Sequence, residues 1–261
     1  MVVSSELRAN AREALKGKWG KAALFTLFYS LITFAIAFLL NLVPFIGPIV
    51  QLLINLPISF GFLVMFIKLC RDEEVNYTDF LSIGFSYFGK VWGVFGNMLL
   101  KMIVPVVLVI IFVVIFSVGV FGGVSTLSVY NTNIHASTSA GFGGLAIVGF
   151  IGYIASIIYA IVKGYLYSLS YYVLYDNPDM SGKEIVQTSE DMMRGNRWRF
   201  FWLGLTFIGW MILSMFTLYI GLLWLIPYIM VSFVCFYEAL AGDRPSAKPT
   251  ENSDNNPVVG E

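Results

Sequence analysis

The chain is short of charge, of histidine and of cysteine. Only 12% of its 261 residues are Asp, Glu, Lys or Arg, and none falls from Ala22 to Ile67, from Met102 to Val162 or from Phe200 to Tyr237. No soluble core of this size needs uncharged apolar runs that long, so a soluble globular domain is excluded. His135 is the one histidine. It falls in a predicted outer loop with no cysteine or carboxylate beside it, which is poor material for a histidine-based metal site or a His-dependent triad. Cys70 and Cys235 fall near predicted cytoplasmic helix ends without metal-ligand spacing, so free thiols are expected and a disulfide is not. The stretch Gly84 to Gly89 has one residue too many for a nucleophile elbow, and no glycine-rich phosphate loop precedes a Lys-Ser or Lys-Thr pair. No cofactor, metal, nucleic-acid partner or catalytic site is expected.

What the chain has is apolar surface in membrane-sized pieces. At 58% hydrophobic residues and a mean hydropathy of +0.79, the composition predicts an all-α polytopic membrane protein. Arg8, Arg12, Lys16, Lys18 and Lys21 precede the first run, and all sixteen Lys and Arg can be placed on one side. The positive-inside rule therefore predicts both termini in the cytoplasm. A signal peptide would have a shorter basic head, a shorter apolar stretch and a cleavage site, so the first segment is expected to remain as a span.

A bilayer core takes about twenty helical residues, so each uncharged run reads as a pair of spans. Roughly 22 to 42 and 49 to 69 form the first pair, turned by Pro44 to Pro48; roughly 98 to 119 and 144 to 166 form the second; roughly 200 to 218 and 222 to 240 form the third, where a re-entrant hairpin is the alternative because both segments are near the lower length limit. The uncharged Gly, Ser, Thr and Asn segment from Gly119 to Gly143 is expected to be an outer loop, the only one large enough to bind anything. The domain division follows: residues 1–241 are a membrane domain, with 1–21 an interfacial basic amphipathic helix and 22–241 about six spans. Residues 242–261 are expected to be a disordered cytoplasmic tail.

The basic segments recur. Lys16-Gly17-Lys18-Trp19, Gly89-Lys90-Val91-Trp92 and Arg194-Gly195-Asn196-Arg197-Trp198 each precede a hairpin, like three copies of one unit. Lys and Arg favour anionic headgroups and Trp the water–lipid boundary, so these stretches should lie in the interface. The helix before the first of them carries Leu7, Ala11, Ala14 and Leu15 on one face and is expected to lie flat on the membrane. Arg12, Lys16, Trp19, Arg194, Arg197 and Trp198 are the candidate lipid- or partner-facing residues.

Three other groups are candidates. Gln51 and Asn55 lie one helical turn apart before Pro57, which removes a backbone hydrogen bond, so with Lys101 they could line a polar path; interhelical hydrogen bonding explains the same amides. Lys101 and Lys163 lie in the cytoplasmic half of their spans, where a long stem can snorkel to the interface. Gly152, Ser156, Ala160, Gly164 and Ser168 form a ridge of small residues for close helix packing, within the chain or in a homodimer.

Ala11 to Trp19, Asp176-Asn177-Pro178, Ser189, Met193-Arg194-Gly195, Trp198-Arg199-Phe200, Phe207 to Trp210, Pro227-Tyr228 and Phe236-Tyr237-Glu238 occur in an order and spacing that resemble the bacterial integral membrane family called domain of unknown function 975, found mainly in Firmicutes. The resemblance implies a six-helix protein of the cytoplasmic membrane, similar in organisation to the membrane-anchor domain of some glycerophosphodiesterases. It names no catalytic residue. The expected function is a non-enzymatic module that engages membrane lipids, or another membrane protein, through its basic and aromatic cytoplasmic face. The alternative is a small transporter or permease component using Gln51 and Asn55. An intramembrane enzyme would need a carboxylate such as Glu238, whose simpler role is pairing with a Lys or Arg.

Overall fold

A computed structural model describes residues 4–44, 46–128 and 135–242, with the side chains of 126–140 outside that description. Among the described residues the chain is helical: α1 (Ser4–Ala14), α2 (Trp19–Asn41), α3 (Ile46–Cys70), α4 (Asp79–Ser86), α5 (Phe88–Ser128), α6 (His135–Leu166), α7 (Ser170–Asp176), α8 (Gly182–Met193), α9 (Arg197–Phe216) and α10 (Leu222–Gly242). The expected tail lies outside the described residues, as does the side chain of His135. Six helices are long and apolar enough to cross a bilayer.

The long helices form three antiparallel hairpins. Tyr29 stacks on Phe62 between α2 and α3, Phe116 lies against Gly149 between α5 and α6, and Phe200 stacks on Phe233 between α9 and α10. A short helix precedes each hairpin: α1, α4 and α8. Each short helix packs on another unit's hairpin, α4 on α3, α8 on α5 and α6, and α1 on α10, so the three units close into a ring. Gly17 (φ +77) and Gly195 (φ +83) hold the left-handed conformation between α1 and α2 and between α8 and α9. A side chain there would be strained, which is why both basic stretches carry glycine at that point.

The core sits where the units meet. Leu15, Ala22, Val64 to Ile67, Phe80, Val91, Leu169, Leu174, Val186, Met193, Leu203, Val231 and Val234 are fully buried there. The distal parts of the hairpins expose Phe34, Phe38, Phe121, Phe216 and Leu218 instead. Exposed apolar surface on this scale is a liability in water and the normal condition in lipid, where a helix pairs most of its backbone groups internally.

The α4–α3 contact shows why the sequence folds this way. Gly61 and Gly84 let two backbones touch: a Cβ at Gly61 would lie 1.9 Å from the Phe80 carbonyl oxygen, and one at Gly84 2.3 Å from that of Pro57. No other residue fits either place. Helix α8 starts on a capping box, with the Ser181 hydroxyl accepting from the Glu184 N–H and the Glu184 carboxylate accepting from the Ser181 N–H, which satisfies two donors at once.

The large outer loop is corrected. Helix α5 runs to Ser128 and α6 begins at His135, so most of 119–143 is helix. At 41 residues, α5 extends about 60 Å, twice a bilayer core. Two of the glycines that suggested a loop are packing positions: a Cβ at Gly119 would lie 2.3 Å from the Ala146 nitrogen and one at Gly122 2.4 Å from the Phe142 ring, as one at Gly149 in the following span would lie 2.4 Å from the Phe116 nitrogen, whereas Gly141 and Gly143 have open space beside them. In water that composition makes turns; in lipid, where unpaired peptide groups are costly, it lets helices approach.

The amphipathic α1 also differs from its expected setting. Leu7, Ala11 and Leu15 are buried, closed over by α10 rather than by lipid.

Candidate functional site

Charged groups gather where the short helices meet the hairpins, and several are paired across elements. Arg71, just past α3, donates from Nη1 to Asp176 Oδ1 (2.7 Å) and from Nη2 to Asp176 Oδ2 (3.0 Å), and its Nε lies 3.2 Å from Glu238 Oε1. Tyr237 donates to Asp176 Oδ2 at 2.8 Å. The bidentate carboxylate raises the Arg71 pKa further, so the guanidinium stays charged. One residue thus ties the ends of α3, α7 and α10. Glu238, the carboxylate considered for catalysis, is an ion-pair partner in this cluster.

Lys18 pairs with Asp72 and donates to the Leu69 carbonyl at 3.0 Å, placing a cation at the C-terminal end of α3, where the helix dipole favours it. Lys101 donates to Glu190 Oε2 at 2.8 Å and Gln187 Oε1 at 3.1 Å, joining α5 to α8. Its hydrogen bond is the main reason the Glu190 carboxyl is held below its ordinary range. Buried Ser189 donates to the Leu166 carbonyl at 2.9 Å, closing the end of α6.

The proposed polar path divides. Gln51 and Asn55 face Thr33 and Ile36 across a cavity of about 50 Å³ between α2 and α3, whereas Lys101 is engaged with α8. The small-residue ridge divides too. Gly152 lies against Phe112, so that a Cβ would come within 2.1 Å of its ring, but Gly164 has open space beside it. Ser156 is buried and bonded to its own helix at the Gly152 carbonyl, Ala160 is half-buried, and Ser168 lies past the end of α6.

The basic and aromatic candidates separate into two clefts. Arg12 and Trp19 line one of about 530 Å³ between α1 and the α9–α10 hairpin, together with Arg8, Trp210, Trp224 and Tyr228. Arg197 and Trp198 line another of about 480 Å³, where Gly195 and Phe201 face Ile158, Ile161, Val162 and Tyr165 of α6. Among the described residues no carboxylate lines either cleft. Lys16 is exposed and lines neither, and Arg194 turns to its own helix, pairing with Glu190 (3.4 Å) and Asp191 (3.8 Å). Sequence reasoning missed Arg8 and Trp224 in the first cleft and the α6 wall of the second. The spacing of Ile158, Ile161, Val162 and Tyr165, one helix face, was the available signal.

These features define a polytopic helical membrane protein whose charged groups brace it internally and which has two basic, aromatic clefts, the first of them extending to Thr217 and Gly221 at the α9–α10 turn. A family model described as "Protein of unknown function (DUF975)" matches residues 1–244, and the chain belongs to that family. No match was found among curated proteins or among solved structures.

Proposed function

We propose that the protein is a non-enzymatic module of the bacterial cytoplasmic membrane, with both termini in the cytoplasm, that gathers anionic lipid headgroups at its basic, tryptophan-bearing end. The observation that carries this reading is the pair of clefts, each combining arginine and tryptophan with an apolar wall and no acidic side chain. Arginine supplies planar donors for phosphate, tryptophan holds the interfacial depth, and the apolar wall accepts chains. The orientation follows from the basic residues before each hairpin.

The test is to tag the chain, extract it gently from the membrane and compare co-purifying lipids with the bulk membrane. Enrichment of anionic phospholipid, reduced by Arg12→Glu, supports the reading. A particle whose lipids match the bulk membrane would sink it. A stoichiometric membrane protein in place of lipid would redirect it to partner binding. Arg194→Glu should matter less, because Arg194 is already paired within α8.

A further inference from the structure

The cleft between α6 and the start of α9 carries the reading furthest. Arg197 makes no hydrogen bond or ion pair among the described residues, and its Nε is buried without a partner. It stands in the first turn of an apolar 20-residue helix, where an ionised group is costly unless it is solvated or paired. Lys18, Arg71, Lys101 and Arg194 have carboxylates within the chain. Among the described residues Arg197 has none, and unlike the exposed Arg12, Lys16 and Lys21 it keeps its Nε buried, so it is the cation placed to take an external anion.

The cleft's shape restricts what can supply it. Ile158, Ile161, Val162 and Tyr165 form one apolar wall, Phe201 and exposed Trp198 the other, with Arg197 the only charge in the lining among the described residues. Its volume, about 480 Å³, falls in the ordinary range for a bound small molecule, about 300–1,000 Å³. In a bilayer an acyl chain is as well solvated outside the cleft as in it, so apolar contact alone selects nothing. Selection must come from the headgroup, and the lone guanidinium favours a phosphate that keeps its net charge over a zwitterion, whose ammonium has no carboxylate here to meet.

We propose that this cleft is a binding site for one anionic phospholipid, its phosphate on Arg197 and an acyl chain against the α6 wall. The inference rests on the lipid-gathering function above and assigns it a defined site. The cleft at Arg12 is the weaker candidate, because Arg8 already has a partner within the chain.

The experiment is native mass spectrometry of the full chain from nanodiscs containing phosphatidylglycerol in phosphatidylcholine. The variants are Arg197→Gln, Arg197→Lys and the cleft-filling Ile161→Trp. Wild type should retain one phosphatidylglycerol through detergent exchange. Arg197→Gln should weaken retention about tenfold, the change expected for losing a hydrogen bond to a charged group. Arg197→Lys should keep part of it, and Ile161→Trp should abolish it with the guanidinium intact. Equal retention of phosphatidylcholine would overturn the headgroup assignment. Unchanged retention in both Arg197→Gln and Ile161→Trp would overturn the site while leaving lipid gathering in place. Failure of wild type to enrich phosphatidylglycerol at all would overturn both. Should Arg197→Gln fail to fold, Arg197→Lys and Ile161→Trp still decide the matter.

Discussion

Trp92 on α5 donates its indole N–H to the carbonyl of Leu53 on α3 at 3.1 Å. Leu53 is four residues before Pro57, so its carbonyl has no intrahelical N–H to accept from. The tryptophan supplies the missing donor from another unit of the ring. Trp92→Phe keeps the ring but leaves that carbonyl unpaired, at an expected cost of about 1–3 kcal/mol. Pro57→Ala restores the helix's own donor, so Trp92→Phe should be nearly silent in that background. Thermal unfolding of the four proteins in detergent gives the coupling; equal costs in both backgrounds would show that the bond contributes nothing.

Backbone contact at Gly61 and Gly84 makes a sharper prediction. Either glycine changed to alanine must push α4 off α3, and the displaced atoms are main chain rather than the end of a flexible side chain. A loss of at least about 1–3 kcal/mol is expected, the usual cost of overpacking. Gly93→Ala and Gly96→Ala are the controls: both positions are helical with nothing within 4 Å, and alanine should be neutral or stabilising by up to about 1 kcal/mol. Similar effects in the two sets would refute the close-contact explanation.

The spans were legible because lipid imposes one rule on every residue of a run: no unpaired charge and no open backbone. The repeated Gly/Trp stretches likewise pointed to three units. The segment from Gly119 to Gly143 was misread because glycine, serine and threonine favour turns in water and close helix packing in lipid, and composition alone does not distinguish the two. Pairings were less legible still. Arg71 is 105 residues from Asp176 and 167 from Glu238, and it adjoins the acidic run Asp72 to Glu74, so locally it looks like part of a solvated loop. Only the closure of the ring brings it to Asp176. The two clefts were half legible: Arg12, Trp19, Arg197 and Trp198 were visible, but Arg8, Trp224 and the walls from α6, α9 and α10 were not.

That closure can be tested at Arg71. Its side chain is 31% exposed and that of Asp176 24%, so solvent screens the pair in part and the lower end of the range for charged hydrogen bonds, about 1.5 kcal/mol, applies. Arg71→Met should cost about that much and leave Asp176 and Glu238 without their shared cation. Asp176→Asn should cost less in the Arg71→Met background than alone. Strict additivity would mean that the contact does not couple α3 to α7 and α10.

The Lys101–Glu190 pair predicts a dependence on pH. Glu190 faces Lys101 on α5, with Gln187 beside the same ammonium and Arg194 and Asp191 on its own helix. Hydrogen bonding from Lys101 is the largest influence holding its pKa below the ordinary 4.5, opposed by desolvation and reinforced by Arg194. The folded carboxyl therefore takes up its proton at lower pH than the unfolded one. The resulting stabilisation is complete above about pH 4.5 and is lost as pH falls through the depressed folded value. Lys101→Met removes most of the shift, so the stability gap between wild type and variant should be widest near neutrality and close in acid. Unfolding midpoints of both proteins across that range are the measurement. A gap that stays constant with pH would mean that Lys101 acts through Tyr167 just past α6, whose ring centroid lies 5.7 Å from its ammonium, rather than through the carboxylate on α8.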